Sequence, residues 1–551
     1  MKSRFIAALV ATLIGWAACV AQSPTPLPLF IGQSQPLGKI LNDIKTAANA
    51  VGGRKAVNQI DESIKEKLGE KGFLGLDLNR RIVGYAHLSD EPEKSSGVIL
   101  VPITSEADFK DFLIRLSSDD GEAQLELRAV DNHPGLYLVV SKDADNDVPI
   151  RLRFHDRTAY FGFNVPDAAM AASKLLPAGQ LIRATDDSFF SYEMHLSRYP
   201  QALKARNLEQ IKELGGMLDV APLPAGAKRA AEELLAMLKR MSLAVLDEAD
   251  VAAYRFRFDP ERVEAVIETA LIPKPGTPLA KEITARKPTE NRFASLIGKD
   301  TVTGFVTRLP LFAPEIRKAI ELGLEEGVNL AAASIPDEFQ PLVEEIRATL
   351  TRTVKTGQFD LAASLNGPDS AGLYSVAVGV SLEETAKLEK ILRELFNKYK
   401  ADQPALNFLK LDVARVGPTS IHELPAGPFL PPDGQSVFGK PSSLYFAFAP
   451  KGLYLTFGPK ALETIKAAIA AEPSPARVLD IQMNPARMAK LIQQLNPAAG
   501  MATDKILDAH DQLISAVYLN VMGGTELRIQ IGLNLKSFLK YAMIRSADSD
   551  D

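Results

Sequence analysis

The chain has 551 residues, 46% hydrophobic and 24% charged, with a net charge of -5. At roughly 100–200 residues per domain it is long enough for about two to four domains, and its interspersed signs make no basic field for nucleic acid or anionic lipid. Its one cysteine, Cys19, falls in the first segment, so the chain beyond it can form neither a disulfide nor a thiolate metal site.

Met1, Lys2, Ser3 and Arg4 make a short basic start, and Phe5 to Val20 is apolar and uncharged. Small residues at Ala18, Cys19 and Ala21 precede the Pro-rich Gln22-Ser23-Pro24-Thr25-Pro26. This is the layout of a bacterial-type export signal, with cleavage expected after Ala21 and a periplasmic or extracellular destination. An apolar run of about 16 residues is short for a membrane span, which needs roughly 20. Ala17-Ala18-Cys19 also fits a lipoprotein signal anchored through Cys19, but Trp16 stands where such signals carry an aliphatic residue. No later uncharged stretch reaches spanning length, so no transmembrane span is expected in the mature chain.

Residues 22–36 read as an extended spacer. From there a strand and helix pattern runs to about residue 272 and recurs over 292–545. Amphipathic helices at Lys55–Leu68 and Leu342–Val354 precede strands at Phe73–Leu78 and Phe359–Leu365. Val98–Ile103 leads through Ser105 and Asp108 into a helix with Phe109, Phe112, Leu113 and Leu116 on one face. Tyr374–Val380 does the same through Ser381 and Glu384 into Leu388, Ile391, Leu392 and Leu395. In each copy a Ser three residues before a carboxylate predicts a capping box.

Next come hairpins, Arg151–Phe154 with Thr158–Phe163 and Leu444–Phe448 with Leu453–Phe457, feeding helices at Ala168–Leu176 and Ala461–Ala470. Strands Phe190–Leu196 and Arg477–Met483 follow. The last matched pieces are Ser242–Val245 with Ala252–Phe258, and Ser515–Val521 with Glu526–Leu533, each continued by a helix at Val263–Ala270 or Ser537–Met543. Alternation in Tyr254-Arg255-Phe256-Arg257-Phe258 predicts half-buried antiparallel strands. The fold class is therefore α+β: a tandem duplication of an antiparallel sheet with helices packed on one face, in ferredoxin-like order within each half. That topology is shared by unrelated functions and carries no activity. Residues 273–291, rich in Pro and charge, read as a linker, and 546–551 as an acidic disordered tail.

Signatures of chemistry are missing from the letters. The six histidines, His87, His133, His155, His195, His422 and His510, have no shared-metal spacing. Asp143-Ala144-Asp145-Asn146-Asp147 resembles the start of a calcium loop, but Val148 and Phe154 occupy the Gly and Glu positions such a loop requires. There is no nucleophile elbow, Walker loop or dinucleotide fingerprint. Ser537-Phe538-Leu539-Lys540 and Lys355-Thr356-Gly357 spell two motifs of penicillin-recognising enzymes in reversed order without the third, which helix amphipathicity explains. Glu193 and His195 share a strand face, but the second copy has Asp480 and Gln482, as expected of a wetted face. No catalytic, metal or cofactor residue is assigned.

Two surfaces remain. Phe429 and Leu430, in the Pro-rich loop Leu424–Gly434, are the candidate contact with a partner protein or the envelope surface. The helix Ala227–Arg240 carries an apolar stripe at Ala231, Leu234, Leu235 and Leu238 beside Lys228, Arg229, Lys239 and Arg240, and reads as an ordinary core-facing helix. The expected function is non-enzymatic binding or a structural role in the bacterial envelope or exterior. Alternatives are a carrier of an apolar or lipid ligand in a sheet and helix groove, and an exported hydrolase marked by a cleft where His, Glu and Arg converge.

Overall fold

A computed structural model describes residues 28–540 except 120–121, 124, 142–149, 184–185, 221, 287, 311–313, 333–338, 401–407, 427–429, 497–511 and 537–538. The export-like start with Cys19, the Lys142–Asp147 loop, Phe429, His510, Ser537 and the acidic tail lie outside the described residues.

The fold mixes helices with one large antiparallel sheet of 20 strands. The first series is β1 (Phe30–Pro36), β2 (Arg81–His87), β3 (Ser96–Pro102), β4 (Leu125–Ala129), β5 (Leu136–Ser141), β6 (Ile150–His155), β7 (Thr158–Phe163), β8 (Phe190–His195), β9 (Ala249–Asp259) and β10 (Glu264–Pro273). The second is β11 (Thr301–Pro310), β12 (Gln358–Asn366), β13 (Ser375–Ser381), β14 (Lys410–Val416), β15 (Thr419–Pro425), β16 (Ser443–Ala449), β17 (Gly452–Phe457), β18 (Leu479–Met483), β19 (Ile514–Met522) and β20 (Leu527–Asn534). Besides a single helical turn at Ala178–Leu181, the helices are α1 (Leu37–Leu68), α2 (Glu106–Ser117), α3 (Gln201–Val220), α4 (Ala225–Glu248), α5 (Pro278–Thr284), α6 (Pro314–Ala332), α7 (Gln340–Lys355), α8 (Ala386–Tyr399), α9 (Pro432–Phe438), α10 (Ala461–Ala470) and α11 (Pro485–Leu495).

Pairing runs from edge to centre as β4, β5, β6, β7, β3, β2, β1, β8, β9, β10, and from the other edge as β14, β15, β16, β17, β13, β12, β11, β18, β19, β20. The two series join where β10 pairs antiparallel with β20, from Glu264 opposite Asn534 to Leu271 opposite Leu527. Neighbour order outward from that seam is the same in both directions. A strict ferredoxin-like order would set β8 beside β3 and β18 beside β13. Instead β1 and β2, or β11 and β12, stand between them.

Several expectations change. Phe30–Pro36 is an inner strand rather than spacer, because the buried Gln33, Ser34 and Gln35 find hydrogen-bond partners there; Gln33 Nε2 donates to Arg183 O at 3.3 Å and Asp186 at 3.2 Å. Glu264–Pro273 is a strand where a helix was expected at Val263–Ala270, since its i, i+3, i+4 apolar spacing coexists with alternation and a partner lies on both sides. Ser242–Val245 continues α4. Phe73–Leu78 is a turn with one bridge, Leu76 to Ile103, and the strand is Arg81–His87. Ala168–Leu176 holds only the short turns Asp167–Met170 and Ala172–Lys174. The expected linker holds α5, and Glu290 and Asn291 pair with Pro475 and Ser474.

Around β3 and β7 both sheet faces are packed, not one. On β7, Tyr160 joins Val83, Leu100 and Met170 in one cluster, while Ala159 joins Phe109, Phe112 and Leu152 in another. Adjacent strand residues point to opposite faces, so β3 and β7, apolar on both sides, need cover on both. Half of the capping box predicted for α2 is present: Asp108 N–H donates to Ser105 Oγ at 3.1 Å, while the Asp108 carboxylate accepts from the Ser105 hydroxyl at 2.6 Å rather than from its backbone N–H. Its predicted copy is absent, because Ser381 Oγ instead accepts from Asp360 N–H at 3.1 Å.

α1 folds back on itself. Lys45 and Asp61 form an ion pair, although 16 residues of straight helix would separate them by about 24 Å. The reversal is at Gly53, with φ 63° and ψ -161°, a backbone region only glycine occupies without strain. The Gly53→Ala variant should lower stability by about 1–3 kcal/mol, measured as a reduced urea midpoint; an unchanged midpoint would show that the bend does not require glycine.

Candidate functional site

The seam between β10 and β20 has one polar and one apolar face. On the polar face Glu268 is 0% exposed. Its carboxylate accepts from Arg255 Nη1 at 2.7 Å, Arg257 Nη1 at 2.8 Å and Gln530 Nε2 at 2.7 Å, with Arg528 Nε at 3.8 Å. Burial alone would raise this carboxyl, but Gln530 and the two arginines outweigh it and hold it below the ordinary value. On the opposite face, register sets Phe190, Phe256, Ile267, Ile531, Leu519 and Leu479 in one row across six strands. The Tyr192 and Tyr254 rings stack beside it at 5.3 Å. Ile531, in the middle of this row, is 41% exposed.

A second polar centre lies under α8. His422, fully buried on β15, accepts from Asp412 N–H at 3.2 Å through Nδ1, and its Nε2 is 3.4 Å from Glu389. Arg393 bridges Glu389 and Asp412, with bonds of 2.6–3.0 Å to the first and 2.7 Å to the second. This fork, with Ser420, holds the Asp412 carboxyl well below its usual range. Burial lowers the His422 imidazole against the opposing pull of Glu389. His, Glu and Arg thus converge, but around an imidazole with no exposed surface. The corresponding place on β5 holds Tyr137, whose hydroxyl takes Lys110 Nζ at 2.8 Å and meets Glu106 at 3.2 Å. A ring clamped by a carboxylate and a cation four residues apart recurs in both series, which fits a helix-docking device.

The sequence candidates separate. Leu430 is half-buried and its carbonyl accepts from Gln435 Nε2 at 2.9 Å at the start of α9; Phe429 lies outside the described residues. Glu193 pairs with Arg183 at 2.5 Å, not with His195. Burial lowers His195, with Arg198 and Arg183 adding to it. Among the described residues no group of three His, Cys, Asp or Glu can hold a metal.

The helix expected to face the core does not bury its stripe. α4 packs against α3 on one side and α6 on the other, and Arg240 binds Glu315 of α6 through two bonds of 2.8 and 3.1 Å. Ala227, Ala231, Leu234, Leu238, Met241 and Val245 follow each other at alternating steps of four and three, which is one helix face. Leu234, Leu238 and Met241 are 43%, 45% and 46% exposed, and Leu214 and Met217 of α3 are 47% and 67% exposed. Among the described residues Arg206, Arg229 and Lys239 of the same hairpin form no ion pair. The spacing was readable in the sequence; the missing cover was not. No helix among the described residues is long and apolar enough to cross a membrane.

No known protein family and no curated protein matches the chain. A solved structure, crystal form IV of TP0453, is similar at 9% identity over 48% of this chain and 85% of that one, with a TM-score of 0.22. A likeness that weak carries no inference.

Glu268→Ala should cost about 3–5 kcal/mol, because it strands two arginines on the seam; a loss under about 1 kcal/mol in urea unfolding would remove Glu268 from that role. A second expectation concerns pH. The folded His422 value lies below the ordinary 6.5, so the unfolded chain takes the proton first. Its contribution is complete above the ordinary histidine range and is lost as pH falls through the folded value. Melting temperature should therefore drop between about pH 7 and 5. His422→Gln should flatten the slope in part, since burial also lowers His87 and His195; an identical slope would assign the acid sensitivity elsewhere.

Proposed function

We propose that this chain is an exported, non-enzymatic binding protein of the bacterial envelope or exterior, built by tandem duplication of one α+β unit. The unit is a ferredoxin-like core widened by two strands. The export-like first segment supports the destination. The duplication is supported by the matched strand order on either side of the seam and by helical reversals between first and second strands, α1 in one series and α6 with α7 in the other.

The observation that carries the binding role is the exposed stripe of α4 with the exposed Leu214 and Met217 of α3. Contiguous apolar side chains on a soluble surface mark an interaction site. Arg206, Arg229 and Lys239, without ion pairs among the described residues, share the hairpin with Glu213, Glu232 and Glu233, so the contact rests on the apolar stripe, and an amphipathic helix is suited to lie in a membrane interface. The hairpin α3–α4 is thus the envelope-facing contact. The apolar row centred on Ile267 and Ile531 supports a second reading, in which the sheet shields an apolar ligand. That reading expects lipid to be recovered by mass spectrometry from purified protein.

Co-sedimentation with phosphatidylglycerol vesicles tests the first reading. Wild-type protein should pellet, and the Leu234→Glu/Leu238→Glu double variant should partition at least about tenfold less, given about 1.5–3 kcal/mol per buried leucine. Wild-type protein that remains in the supernatant would sink the proposal.

A further inference from the structure

A cavity of about 740 Å³ lies where the end of β11, the start of β12, Arg286 and residues 288–292 meet; its lining includes Arg286, Glu290, Arg292, Arg308, Gly357 and Gln358. A second, of about 390 Å³, is lined by Arg292, Thr419, Lys451 and Tyr454 among others. Arg292 is common to both. The first volume is that of a small-molecule site.

The arginines of the larger cavity are not equivalent. Asp360 is buried at 3% exposure. Its oxygens are taken by Arg308 Nε at 2.5 Å, Arg308 Nη2 at 2.7 Å and the Arg292 backbone N–H at 3.1 Å. Arg308 is therefore fixed and neutralised as part of the wall. The same carboxylate pins the Arg292 backbone, yet the half-buried Arg292 guanidinium has no hydrogen bond or ion pair among the described residues. Its field reaches the second cavity: burial raises the Tyr454 hydroxyl and Arg292 opposes that rise. Among the described residues the only carboxylate in the first lining, Glu290, has an exposed side chain.

A cation withdrawn from water without a counter-charge is costly to keep, and a guanidinium presents a planar fork of donors that matches carboxylate and phosphate oxygens. We infer that this cavity binds a small organic oxyanion, a phosphate or carboxylate, with Arg292 as its anchoring cation; Arg286, paired with Glu282 at 3.6 Å, belongs to the wall as Arg308 does. The site is independent of the α3–α4 stripe and does not rest on vesicle binding.

Isothermal titration at constant ionic strength, with inorganic phosphate, citrate and dihexanoyl phosphatidate as probes, decides it. Saturable binding of at least one probe is expected, weakened about tenfold or more by Arg292→Ala. Arg292→Lys should give an intermediate loss, Glu290→Gln a gain, and the surface control Lys299→Ala no change. Equal affinity for phosphate and phosphatidate assigns a soluble oxyanion; tighter phosphatidate assigns a lipid headgroup. Arg292 has no side-chain bond to lose, so Arg292→Ala should keep the wild-type melting temperature. Absence of saturable binding to all three probes, or equal binding by Arg292→Ala, would overturn the inference.

Discussion

One buried carboxylate sits where the two strand series become one sheet. Glu268 is on β10, its arginine partners Arg255 and Arg257 are on β9, and its amide partner Gln530 is on β20. An ionised carboxylate out of water is tolerated only when fully paired, so β9, β10 and β20 must align in one register. A one-residue slip would bring Ile267 or Ile531 to the arginines and turn the apolar row to the polar face. The seam combines an apolar row that favours association with a polar cluster that makes the alignment unique. Tyr518 adds a bond across it, donating to Glu264 at 3.0 Å, and its ring lies over Gly532, where a side chain would collide.

Joining the series at the centre also removes two edges, leaving β4 and β14 at the sheet margins. Both carry charges at exposed positions, Glu126 and Arg128 on one and Lys410, Asp412 and Arg415 on the other, beside the exposed Ala129 and Val413. β14 is further irregular at Asp412, whose φ is 58°, where its register with β15 shifts. Charge and bulges discourage pairing with a second chain. Arg393 draws Asp412 toward Glu389 and His422, so the network that docks α8 also shapes the protected edge.

Local signals were legible in the letters and long-range ones were not. Ser105 with Asp108 marked the start of α2, apolar spacing marked α10, and hairpins such as β6 with β7 announced themselves by turns between alternating runs. β1 was hidden because Gln33, Ser34 and Gln35 are polar, and only partners about 150 residues away make them fit for an interior strand. β10 was hidden because residues 263–270 satisfy helical spacing as well as alternation, and the choice is made by β9 and β20. Glu268, inside that segment, looked like any helix carboxylate. The α4 stripe was visible, but exposure depends on what covers it, and local spacing does not encode that.

The matched scaffold makes its departures from symmetry the informative places. Between β8 and β9 the first series inserts α3 and α4, whereas the described part of the corresponding connection from β18 to β19 carries α11. Leu491, on the apolar side of α11, is buried, and the helix packs beside α9 and β11. Its cover is thus supplied within its own series, while no described residue covers the exposed α4 stripe. Clamped rings at Tyr137 and His422 show the same contrast in milder form: one geometry filled by different chemistry. Where both series solve a packing problem alike, the residues serve the fold. Where, among the described residues, one leaves an apolar face uncovered or a guanidinium without a partner, packing does not account for the arrangement, and those are the places to which the proposed binding is assigned.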